Sequence, residues 1–272
     1  GYHPLHPSVF VTPYPHPFRN GLTDEEATER ALHELRAMLR HVVAPEDIAR
    51  YLIEPVQGEG ASYAAPAPFL QELREVADRY GILLIADEIQ TGFGRTGTWW
   101  GIDHYDITPD IITIGKAIAN GLPLSAIGSS KDLFGKWPPG VHGTTFGGNA
   151  VACAAAVEVV NVVKEVLPTV PALSERAFAG LRSVQANHPT VGDVRGLGLM
   201  IGVELVDGEG RPDSAALEFV RTHLLETGLI FHPCGPDHNI IRFIPPLVIS
   251  PEDLDHGIGL IDDALTAWEG RA

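Results

Sequence analysis

The sequence is short of the residues that make cross-links and metal cages. Only Cys153 and Cys234 stand among its 272 residues, too few for a disulfide framework or a four-thiolate zinc site. They read as reduced thiols, in keeping with a cytoplasmic protein. Positive charge is scarce too. The 19 Lys and Arg face 35 Asp and Glu, a formal charge of −16, which repels nucleic acid and anionic membrane surfaces. No apolar run reaches the roughly 20 residues of a membrane span, and no signal-peptide pattern is visible. Repeats and low-complexity tracts are lacking as well. What is there, 44% hydrophobic and 20% charged residues, is the composition of a folded globular protein.

The chain opens "GYHPLHPSVF" without an initiator Met, and is expected to be a piece of something longer. Residues 1–22, rich in Pro, His and aromatics, read as an extended surface segment. Thr23 and Glu26 form a capping-box pattern ahead of a helical stripe at Ala31, Leu32, Leu35, Leu39 and Val42. "IARYLIEPVQ" predicts a short buried strand, and Pro66 to Tyr80 a helix with Phe69, Leu70, Leu73 and Val76 inward. "GILLIADEIQ", "PDIITIGKAI" and "LSAIGSS" read as further strands, the first apolar on both faces as in a parallel sheet. Asn149 caps a long Ala- and Val-rich helix. After about Pro168 come an amphipathic helix, the strand "GLMIGVELV", a helix from about Ala215 to Thr227 and the strand "NIIRFIPPLVI". A last helix is capped by Ser250 with Pro251 in its first position. Alternating strands and helices predict an α/β fold with parallel βα units in residues 1–167. Residues 168–272 read as a smaller α+β domain.

The run Gly92-Phe93-Gly94-Arg95-Thr96-Gly97 fits the glycine spacing of a dinucleotide turn. Its surroundings do not. Asp87 and Glu88 would repel a pyrophosphate, and "TWWGIDHYDITPD" opens no helix after Gly97. The acids carry more meaning. Ligands of open parallel sheets sit outside the carboxyl ends of strands; Asp87 ends one strand and Lys116 follows the next. Such a pair is either a salt bridge or the acid and amine that pyridoxal phosphate requires, one to keep its ring nitrogen protonated and one to bond it. His232, Cys234 and His238 crowd together in "FHPCGPDHN", but Pro233, Gly235 and Pro236 make the stretch a loop, and no second cluster completes a metal site. Trp99 and Trp100 read as packing residues.

Several runs, "EPVQGEG", "LLIADEIQTGFGRTG", "PDIITIGKAIANGLPLSAI", "GTTFGGNAVACAAA", "GLMIGVEL" and "IIRFIPPLVI", resemble in order the signatures of class III aminotransferases, fold-type-I enzymes dependent on pyridoxal phosphate. The resemblance implies a mostly parallel sheet with flanking helices, here the C-terminal part of a large PLP-binding domain, and a small C-terminal domain. It makes Lys116 the Schiff-base lysine and proton shuttle, Asp87 the partner of the pyridinium nitrogen, and Gln90 the contact of the ring hydroxyl oxygen. Thr145 would contact the phosphate across the interface of a homodimer with a shared active site, with Thr144 as the alternative. Glu59 and Arg242 resemble a switch pair. Arg242 would grip the α-carboxylate of 2-oxoglutarate, and Glu59 would neutralise it when the donor has none. Glu54 and Gln57 begin the same loop, Glu54 in either a structural or a catalytic role. "GFGRTG" becomes a structural turn. "CGPDHNIIRF" is closest to the 4-aminobutyrate branch, with a small-molecule amino donor and a 2-oxo acid as reactants. Ornithine, acetylornithine and other ω-amine transaminases stay open, as does an inactive fragment serving only as a folded dimerisation piece. The family's upstream stacking aromatic and Gly/Ser-rich phosphate turn have no counterpart in these residues.

Overall fold

In the computed structural model, which describes residues 4–271, the helices that follow Thr23, Ser130, Asn149, Asp213 and Ser250 are each capped by that residue's side chain. Gly1 to His3, the start of the segment expected to be extended, lie outside the described residues. The remainder of that segment is not wholly extended. Pro17, with φ fixed by its ring, starts the one-turn helix α1 (Pro17–Asn20), which Gly21 ends at φ 61°. Thr23 and Glu26 exchange both capping-box hydrogen bonds at the head of α2 (Asp24–His41). Ala31, Leu32 and Leu35 are buried as expected, whereas Val42 lies past the helix end and is exposed.

β1 (Arg50–Ile53) corrects an expectation. It was read as buried, but it is an outer strand of the sheet β1-β2-β3-β4 and Leu52 is 63% exposed. α3 (Ala67–Tyr80) buries Phe69, Leu70, Leu73 and Val76 and stops at Gly81 in the left-handed region. β2 (Leu83–Asp87) buries Leu84, Ile85 and Ala86, and the chain leaves it at Glu88. β3 (Ile111–Ile114) runs parallel to it, setting Asp87 opposite Thr113. β4 (Ala126–Ser129) runs antiparallel to β3, departing from the expected run of parallel units. Residues 115–125 form a tight 3₁₀ turn and loop, too short for a parallel crossover. The sheet is therefore mixed, though mostly parallel. α4 (Lys131–Phe134), capped by Ser130, leads to α5 (Ala150–Val166), where Asn149 Oδ1 accepts from the amides of Val151 and Ala152.

The remaining chain makes α6 (Val170–Asn187), β5 (Val191–Leu197), β6 (Met200–Leu205), α7 (Ser214–Thr227), β7 (His232–Cys234), β8 (Ile240–Phe243) and α8 (Pro251–Glu269). Their strands form an antiparallel sheet in the order β5-β6-β8-β7. β5 has too many glycines and charges to stand out by hydrophobic pattern, and the sequence did not show it. β7 replaces an expected loop, because Pro233 needs no ladder donor on this outer strand. Leu181, Ile201, Val203, Leu224, Ile241, Leu254 and Ile261 meet in one buried cluster with α6, α7 and α8. Burying one such side chain contributes about 1.5–3 kcal/mol.

Two compact units divide the chain, residues 1–51 with 65–84 and residues 52–64 with 85–272. In the first, Arg36 grips Glu72 with two hydrogen bonds of 2.7 and 2.6 Å, and Leu39, Ile48 and Tyr51 pack on Val76, Ala77 and Ile82. Every candidate site residue lies in the second.

Candidate active site

Asp87 ends β2 with its Oδ1 already ordered, accepting from the Ile89 amide and the Thr113 hydroxyl, each at 3.0 Å. Lys116 follows β3 and Gly115. It opens the 3₁₀ turn Lys116–Ala119 with φ 42°, a left-handed conformation that a lysine adopts only where its surroundings impose it. α5 packs against this turn. Lys116 Nζ donates to Gln90 Oε1 at 2.5 Å, and Arg242 Nη2 donates to the same oxygen at 2.9 Å. Arg242 Nη1 meets Glu59 Oε1 at 2.5 Å. Five of the six expected residues therefore converge, with Asp87 close enough for its charge to act on Lys116. Thr145 is exposed on the loop before α5. Among the described residues no hydrogen bond joins it or Thr144 to this group.

Electrostatics suit an amine that must lose its proton. Lys116 has its pKa lowered, first by desolvation and then by the positive charge of Arg242, against the opposing pull of Glu54, Glu59 and Asp87. The residue itself stays exposed, so its loss of hydration is partial. Burial raises the pKa of Glu54, although its Oε2 accepts from the Gly58 amide at 2.6 Å, and the charge of Asp87 pushes it the same way. The ion pair is lopsided: the Arg242 side chain is 9% exposed and that of Glu59 74%. Glu59 therefore meets Arg242 from the solvent side.

The turn at Gly92–Gly97 is a brace. Phe93, Gly94 and Gly97 all have positive φ, and the chain continues into a 3₁₀ turn at Gly101–Tyr105 in place of a helix opening. Arg95 Nη1 donates to the carbonyls of Leu199 at 3.1 Å and Pro245 at 2.6 Å, and burial lowers its pKa to about 10. Phe93 packs edge-on against Trp99 and Trp100, as packing residues do. Sequence reasoning missed Glu88. Its buried carboxylate accepts from Thr91 Oγ1 and from the amides of Gly101 and Ile102, fixing the turn that carries Gln90. Its place beside Asp87 was the available signal. His232 and Cys234 lie on β7, and among the described residues no group of three or more His, Cys, Asp or Glu could hold a metal ion. A cavity of about 570 Å³ includes Arg242, His232, Phe243 and Leu260 in its wall but not Lys116, Asp87 or Gln90, so it is not where the amine and acid meet.

A family profile described as "Aminotransferase class-III" matches residues 1–265. The chain belongs to the class-III aminotransferases. It is 38% identical over 257 residues to the 4-aminobutyrate aminotransferase of Escherichia coli (strain K12), covering 93% of this chain and 59% of that one. It is also 38% identical over 246 residues to the 5-aminovalerate aminotransferase of Pseudomonas aeruginosa, covering 89% of this chain and 57% of that one. A solved (S)-enantioselective omega-transaminase from Thermomicrobium roseum superposes with a TM-score of 0.88 at 32% identity, over 98% of this chain and 62% of that one. The chain thus spans less than two thirds of the length of each of these three proteins. Within this family the grouping of amine, carboxylate and amide fits the reactive end of pyridoxal phosphate. Thr145 stays exposed on its loop and is not part of this grouping.

Proposed function

We propose that the full-length protein transfers an amino group with pyridoxal phosphate, from an ω-amino acid of the 4-aminobutyrate kind to 2-oxoglutarate. One observation carries this reading: Lys116 and the Glu59–Arg242 pair meet around a single amide, Gln90. The names of the two bacterial relatives, both aminotransferases of ω-amino acids, support the donor class. When bound, pyridoxal phosphate supplies a protonated ring that draws electrons from the substrate's amino-bearing carbon. Lys116 Nζ would hold it covalently and, once displaced by the donor amine, move the proton released at that carbon. The lowered pKa favours the neutral amine both tasks need. Asp87 would keep a negative charge facing the ring nitrogen. With N–H donors from Lys116 and Arg242 both on Gln90 Oε1, its Nε2 is left to meet the ring hydroxyl oxygen. Arg242 would give a planar two-point grip to an α-carboxylate, and Glu59 would cover that charge while a donor without one reacts.

Thr145, exposed on its own chain, would reach the phosphate of a second copy in a cytoplasmic homodimer with a shared active site. Residues 1–167, holding the mostly parallel sheet, are the C-terminal part of the large domain, and 168–272, holding the antiparallel sheet, are the small one. The alternatives remain an ornithine, acetylornithine or other ω-amine aminotransferase and an inactive dimerisation piece. The test is single-turnover conversion of 4-aminobutyrate, ornithine and acetylornithine by the PLP-loaded full-length protein. Fastest reaction of 4-aminobutyrate is expected; preference for ornithine would move the protein to another branch, and no turnover of any would favour the inactive piece.

A further inference from the structure

Glu59 sits above a row of sheet residues whose centre is a glycine. Gly202 on β6 is the direct cross-strand partner of Arg195 on β5 and of Arg242 on β8, so the three share a face. It is the face away from the helices, because Ile201, Val203, Ile241 and Phe243 enter the helix-covered cluster. The loop Glu54–Ala64 lies on it. A Cβ on Gly202 would stand 3.1 Å from Ala61 O and 3.3 Å from Ser62 Cβ, so the missing side chain lets the loop backbone come down onto the row.

The loop needs holding. Ala61 has φ 89° and Ser62 φ 58°, conformations that L residues other than Asn and Asp keep only when neighbours impose them. Arg195 does so from one end of the row. Its Nε donates to Ala61 O at 2.8 Å and its guanidinium lies 3.8 Å from the centre of the Tyr63 ring. Two acids on the sheet aim it. Nη1 donates to Asp193 Oδ2 at 2.8 Å, and Nη2 stands 2.6 Å from the carboxylate of Glu204, which is almost wholly buried. The Gly235 amide fixes the Glu59 carbonyl at 3.0 Å.

We propose that Arg195 is a positioning residue for the donor–acceptor switch. By gripping Ala61 and Tyr63 it presents Glu59, two residues upstream, to Arg242, and so sets how far the site separates donors without an α-carboxylate from acceptors that carry one. The inference rests on the switch role proposed above for Glu59 and Arg242. A lysine at position 195 keeps the charge facing Asp193 and Glu204, but its compact ammonium cannot also cover Tyr63 and hold Ala61 O.

The experiment uses the full-length PLP-loaded protein and single-turnover rates of each half-reaction, with 4-aminobutyrate and with 2-oxoglutarate. Arg195→Lys is expected to slow the 4-aminobutyrate half on the order of tenfold and the 2-oxoglutarate half less than about twofold, an effect of the size coupled neighbours show. In a Glu59→Gln background it should add nothing. Ala61→Gly, which adopts φ 89° without strain, should restore much of the lost rate. Amide exchange across Gln57–Tyr63 should quicken in Arg195→Lys, a readout independent of turnover. If Arg195→Lys fails to fold, Gly202→Ala, which crowds Ala61 O from below, is expected to give the same split. Should Glu59→Gln separate the half-reactions while Arg195→Lys, or Gly202→Ala in its place, slows both equally or neither, the inference is wrong and the switch stands. Multiplying effects of Arg195→Lys and Glu59→Gln would overturn it too. If Glu59→Gln itself separates nothing, both fall together.

Discussion

Arg242 Nη1 meets Glu59 Oε1 at 2.5 Å across 183 positions of sequence. One partner is nearly buried and the other mostly in water, so breaking the pair exposes no new acid but bares a cation in the site. In the full-length protein, Arg242→Ala is expected to damage the 2-oxoglutarate half-reaction by roughly 2–5 kcal/mol, the loss from truncating one partner of a hydrogen-bonded charge pair. The ω-amine half-reaction should suffer far less. Glu59→Gln should do the reverse and let α-amino acids compete better as donors. Stopped-flow measurement of each half separates the effects. Equal slowing of both halves by both variants would make the pair structural.

Asp87 is held by Thr113 and Ile89 independently of its charge, so Asp87→Asn should keep the site's shape. Removing its negative charge is expected to cost on the order of 10²–10³ in rate, as for other preorganised electrostatic groups. A near-wild-type rate would mean the ring nitrogen has another partner.

His188 gives a pH dependence away from the site. Its Nδ1 faces Glu269 at 2.9 Å and its Nε2 faces Asp262 at 3.0 Å. Carboxylates only accept, so the pairing favours the imidazolium. Burial alone would lower its pKa; the hydrogen bonds to Glu269 and Asp262 outweigh burial and raise it above 6.5. This stabilisation is complete below the unfolded value and is lost as pH rises through the higher folded one. The melting-temperature gap between the parent and His188→Gln should therefore be widest below about pH 6 and shrink as pH rises, by about 2–4 °C for each kcal/mol lost. A gap that widens with pH would contradict the ion-pair account.

Phe146 is 80% exposed, with Val151 and Val157 exposed on α5 behind it. Exposed apolar side chains favour association with other apolar surface. The 272-residue chain alone is expected to dimerise or aggregate in sedimentation velocity. A purified monomer that binds pyridoxal phosphate tightly and transaminates unaided would refute the shared-site proposal.

The long helices α2, α5 and α8 were legible because their caps are local: Thr23 with Glu26, Asn149, and Ser250 with Pro251 each act within one turn. The strand-end positions of Asp87 and Lys116 were legible because each comes at the end of a strongly apolar run. β5 was not, since Gly192, Asp193, Arg195 and Gly196 break any alternation, and its place depends on pairing with β6. The direction of β4 was hidden for a similar reason, being set by the length of the turn after Lys116. Nor could any periodicity reveal that Gln90 accepts from both Lys116 and Arg242, that Lys116 adopts a left-handed φ, or that Arg195 reaches Ala61 134 positions away. Those contacts exist only once loops from distant segments settle on the sheets.

The central claim is that Lys116 bonds the cofactor. Full-length protein loaded with pyridoxal phosphate, reduced with borohydride and digested, should yield one modified peptide carrying the label on Lys116, and Lys116→Ala should lose both the label and turnover because no other group supplies the covalent link and the proton transfer. Label on Lys131 or Lys136, or undiminished turnover by Lys116→Ala, would contradict the account.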